Sequence, residues 1–71
     1  MKRDVEIVQD RSHFVATLRR LADAVEAGES FRIQVDGHRF TVPADATLAI
    51  AHEVSDGVHE LELDFGWSDA D

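Results

Sequence analysis

The sequence predicts an α+β fold in the order β-α-β-β-β-β, an antiparallel meander sheet with one helix packed on its apolar face. Three observations carry this expectation. Two Asp-Gly pairs, Asp36-Gly37 and Asp56-Gly57, each stand between segments in which apolar and polar residues alternate, the pattern of a two-residue hairpin turn. Between Ser12 and Gly28 the apolar spacing changes to that of a helix. A length of 71 residues with 44% hydrophobic side chains supports one small core and no second domain, so residues 1–71 are read as a single unit.

The elements follow in chain order. Residues 4–9 place Val5 and Ile7 at period two, with Val8 out of phase, and predict a short first strand. Two positions are open to it, beside the second strand through a right-handed crossover or antiparallel beside the last. Residues 13–27 predict the helix: Phe14, Leu18, Leu21, Ala22 and Val25 form one apolar stripe, with Ser12 as the expected N-cap and Gly28 as the residue that ends it. Arg19, Arg20, Asp23 and Glu26 occupy the opposite face and read as solvent-exposed charge.

Strands over 31–35 and 38–42 flank the first turn, and a two-residue loop sets Val35 opposite His38, Ile33 opposite Phe40 and Phe31 opposite Val42. Strands over 47–55 and 58–65 flank the second. There Val54 meets His59, His52 meets Leu61, Ile50 meets Leu63 and Leu48 meets Phe65, so the inward face is apolar but for two histidines. The outward face carries Ala49, Ala51 and Glu53 on one strand and Glu60, Glu62 and Asp64 on the other.

Charge is distributed unevenly. Residues 1–43 hold seven bases and seven acids, whereas residues 44–71 hold eight acids and no base, which places the whole net charge of −8 in the last part of the chain. Nucleic acid needs clustered Lys and Arg, so neither DNA nor RNA is expected as a partner; Arg19, Arg20, Arg32 and Arg39 are split between helix and sheet and form no obvious footprint. Nine Asp against six Glu, and one Lys against six Arg, resemble the bias of cytoplasmic proteins from salt-accumulating microbes, in which carboxylates keep the surface hydrated. No run of apolar residues approaches the ~20 that a membrane helix needs, and the N-terminus has no apolar segment behind its charges. A cytoplasmic location is expected. The absence of Cys excludes disulfides and thiolate chemistry.

The last strand reads Leu61-Glu62-Leu63-Asp64-Phe65-Gly66-Trp67, apolar and acidic by turns and ending in the single Trp. Together with the helix Leu18-Arg19-Arg20-Leu21-Ala22-Asp23-Ala24-Val25-Glu26-Ala27-Gly28, it resembles the small amphi-Trp domain family of archaea and bacteria. The resemblance spans nearly the whole chain. It implies this fold and a stand-alone cytoplasmic protein of unestablished biochemical role, and it supplies no catalytic residues. His52 and His59 depart from the acidic hairpins of that family.

Candidate sites are few. Trp67 continues the inward parity of Leu61, Leu63 and Phe65 and reads first as core or edge packing, second as an anchor for a partner. His52 and His59 are diagonal neighbours and the weak candidates for a metal pair, but a tight zinc site takes three or four ligands, and Glu53 and Glu60 point the other way. Hydrogen-bonded histidines are the plainer reading, and no cofactor is expected. Glu53, Glu60, Glu62 and Asp64 read as salt-screened surface charge, because a catalytic dyad requires burial. No nucleophile elbow, P-loop or dinucleotide fingerprint occurs, and an enzyme is not expected. Arg32 and Arg39 on one hairpin and Glu53, Glu60 and Glu62 on the other make the outward face self-complementary, which points to a homodimer, or else to an unknown protein partner.

Overall fold

Asp10 opens the helix. Its carboxylate accepts the backbone N–H of His13 at 2.8 Å and its carbonyl accepts that of Phe14 at 3.0 Å, so α1 runs Arg11–Ala27 in the computed structural model, which describes residues 6–69. The expected cap, Ser12, lies inside the first turn. Asp10 takes the role because a carboxylate both satisfies an orphan N–H and meets the positive end of the helix dipole. At the other end Gly28 adopts the left-handed conformation (φ 69°), and the N–H groups of Gly28 and Glu29 return to the carbonyls of Val25 and Ala24 at 3.1 and 2.9 Å. This is a Schellman closure, and its positive φ favours glycine.

Four strands follow: β1 Phe31–Val35, β2 His38–Val42, β3 Thr47–Ser55 and β4 Val58–Gly66. Both turns have positive φ at their central residues, 51° and 75° at Asp36 and Gly37 and 53° and 77° at Asp56 and Gly57. That twist matches the strands on either side, which is why the Asp-Gly pairs fix the register. Each expected cross-strand pair is formed, from Phe31–Val42 to Val35–His38 and from Leu48–Phe65 to Ser55–Val58. The class is α+β, with the helix ahead of four antiparallel strands.

Two details differ from the sequence expectation. The strand expected over 4–9 is not formed in residues 6–9, while Asp4 and Val5 lie outside the described residues. Val8 is 92% exposed, and residues Glu6–Gln9 carry no strand before the helix cap, as expected of a segment whose apolar residues do not keep to one face. The four strands also make two separate two-stranded sheets, β1-β2 and β3-β4, and not one continuous meander. Pro43, which has no N–H to give a ladder, starts the link between them, and the Ala46 N–H bonds the Pro43 carbonyl at 3.2 Å, turning the chain away from a β2–β3 ladder.

Side chains join the hairpins instead. Phe31 meets Phe65 edge to face at 5.4 Å between ring centroids, and Phe40 stacks on Trp67 at 6.1 Å. The helix is tied to β1 by Arg20, whose guanidinium donates to the Arg32 carbonyl at 2.9 Å. The small core gathers here: Val42 is 3% exposed, and Leu21, Ala24, Phe31, Ile33, Val35 and Phe65 are half-buried.

Candidate functional site

The β3-β4 hairpin is an arm with two chemically different faces, because side chains alternate across a strand. On one face stand Leu48, Ile50, His52 and Val54 of β3 with His59, Leu61, Leu63 and Phe65 of β4. The sequence pattern assigns this face to the core, under the helix. The structure covers only its base, and loosely: Leu48, Ile50, Leu63 and Phe65 line an open cleft of about 660 Å³ whose other wall is Leu18, Leu21 and Val25 of the helix. Ile50 is 76% exposed and Leu61 70%, and Leu48, Val54 and Leu63 are each more than half exposed. The reason is one of reach. A nine-residue strand extends ~30 Å, and a helix held to β1 through Arg20 covers only its base.

The two histidines are the polar exception on this face. Their rings are nearly parallel, with centroids 5.1 Å apart, and His52 Nε2 lies 2.9 Å from His59 Nδ1, a hydrogen bond in which one nitrogen donates and the other accepts. That contact engages one nitrogen of each ring with the other ring, whereas a shared metal ion needs two lone pairs converging on one point. Among the described residues no group of three or more His, Asp or Glu side chains is placed to hold a metal ion.

The opposite face holds the acids. Glu53 stands across from Glu60, and Glu62 across from Ala51, with Asp64 next along β4. The Glu62 carboxyl is raised above its ordinary value, first by the charge of Glu53, then by partial desolvation, and further by Asp64 and Glu60. Crowded like charges make each added proton more welcome.

The bases do form a group, which the sequence did not indicate. Arg20 from the helix joins Arg32 and Arg39 from the first hairpin around a shallow hollow that Gln34 also lines. The missed signal was Arg20, assigned to the solvent face of the helix but long enough to cross to the Arg32 carbonyl. Trp67, 40% exposed, lies against Phe40 and borders a second hollow with Thr41, Pro43 and Thr47, so it is placed on the first hairpin and keeps part of its ring open. Of the expected interface residues, Arg32 and Arg39 are brought together, Glu53, Glu60 and Glu62 are brought together, and Trp67 belongs to neither group.

No family model matches the chain, and no curated protein and no solved structure is significantly similar to it. Function therefore rests on the two faces of the arm and the surface around them. No helix among the described residues is long and apolar enough to cross a membrane.

Proposed function

We propose that this chain is a small acidic, non-enzymatic interaction and assembly module that works as a homodimer in a salt-rich cytoplasm. One observation carries the reading. A folded monomer of 7.9 kDa exposes about 4,400 Å² of surface by the usual scaling with mass, whereas this chain exposes 6504 Å². Counting the seven residues outside 6–69 as fully extended chain accounts for at most ~1,000 Å² of the difference. The remainder is surface that a lone domain of this size ordinarily buries. Its radius of gyration, 13.5 Å, likewise exceeds the ~11 Å of a close-packed chain of this length.

The acidic bias agrees with a cytoplasm where salt screens self-repulsion. The rival reading, a small-ligand or metal-binding module using His52 and His59, is weaker because the two rings already bond each other. The test is molar mass by light scattering behind size exclusion, in molar KCl and at ~0.15 M, where screening lengths differ severalfold. Twice the chain mass at high salt is expected. A folded species of single-chain mass in both buffers rejects the homodimer.

A further inference from the structure

The homodimer reading does not say which surface joins the copies, and the sequence alone favours the charged one. Resting on that reading, we infer that a second copy of this chain packs on the apolar face of the β3-β4 arm, arm against arm across a two-fold axis, with the helix stripe closing over its base. The charge-complementary contact of Arg32 and Arg39 with Glu53, Glu60 and Glu62 is then peripheral.

Four observations converge on this face. The first is need: a two-stranded hairpin is marginal by itself in water, yet this arm keeps a regular nine-residue register with Ile50, Val54, Leu61 and Leu63 open to solvent. Its cover must be present whenever the chain is folded, and another copy is the partner that accompanies every synthesis. The second is area. The excess left after the terminal residues, about 1,100 Å² per chain, comes to about 2,200 Å² from two copies, at the lower end of the 2,000–5,000 Å² that obligate homodimers bury.

The third is charge. A chain of net charge −8 meets itself at least cost where its carboxylates are sparse, and the pleat sends Glu53, Glu60, Glu62 and Asp64 to the far side of the arm, leaving Glu26 and Asp64 only at the edge of the cleft at its base. Two apolar faces in contact leave both acidic faces outward in water. The fourth is the histidine pair, the one polar feature of the face. The bond at 2.9 Å satisfies a donor of one ring with an acceptor of the other, which lowers the cost of taking both away from water.

The absence of cysteine from the chain permits a test that leaves the fold nearly intact. Single variants Ile50→Cys and Leu61→Cys place a thiol on the apolar face, and Glu53→Cys and Glu60→Cys place one on the acidic face of the same strands. Each is labelled with a small thiol reagent after its mass is measured by light scattering. The expected result is dimeric mass throughout, with labelling at Ile50→Cys and Leu61→Cys at least tenfold slower than at the two acidic-face sites. A dimer that labels equally on both faces, or is protected at Glu53→Cys and Glu60→Cys, overturns the placement and keeps the assembly reading. A folded wild-type chain of single mass overturns both.

Discussion

Glu62 shows how a surface side chain can work against the fold. Its proton affinity is raised in the folded chain by Glu53, Asp64 and Glu60, so near neutral pH the ionised form is held in a less favourable place than in the unfolded chain. The sign follows: the penalty is fully present above the raised folded value and is relieved as pH falls through it, because the folded state then binds more protons than the unfolded one. Thermal melts should show stability rising as pH is lowered from 7 toward the upper edge of the carboxylate range. Glu62→Gln should melt higher than wild type at pH 7 and show a flatter profile. A variant that melts lower at neutral pH would mean the carboxylate is held by a favourable partner instead. The acid cluster itself was plain from the alternation of residues 60–64, whereas the meeting of Arg20 with Arg32 and Arg39 was not. A long side chain crosses between elements, and spacing along one helix face carries no information about such a crossing.

At the scale of elements, local chemistry explains what could be read in advance. The hairpins were legible because Asp-Gly admits few turn geometries and because apolar parity permits one register. The helix was legible from its stripe and from Gly28, but its start was displaced from Ser12 to Asp10, since both residues can cap and only the backbone path chooses. Replacing Asp10 should therefore cost more than replacing Ser12. Asp10→Ala is expected to lower stability by ~1 kcal/mol in denaturant unfolding, and Ser12→Ala by a few tenths. The reverse order would return the cap to Ser12. The first strand and the β2–β3 pairing failed for different reasons. The first depends on which edge lies beside it, and no residue in 6–9 demands a particular neighbour; the second is lost at Pro43, whose missing N–H and following turn interrupt a ladder that the apolar parity on either side allows.

For the molecule as a whole, periodicity predicts which face is apolar but not what covers it. The inward parity of the arm is as expected, yet its cover within the chain stops at the base, near Leu48 and Phe65. If a second copy completes the core, folding and association are one reaction and stability depends on mass action. The midpoint of thermal unfolding should then climb by several degrees as concentration is raised a hundredfold, read by circular dichroism in long- and short-path cells. A midpoint independent of concentration would show that each chain is stable alone. High salt should raise the midpoint further by screening the acidic faces, an effect expected to shrink in a variant with Glu53, Glu60 and Glu62 replaced by Gln.

Trp67 stacked on Phe40 has a spectroscopic consequence. The chain has one Trp and no Tyr, so its near-ultraviolet emission comes from a single indole at the junction of the two hairpins. Fluorescence from this protein follows whether the hairpins stay docked, while backbone dichroism follows the strands themselves, so comparing the two separates parting of the hairpins from loss of either one.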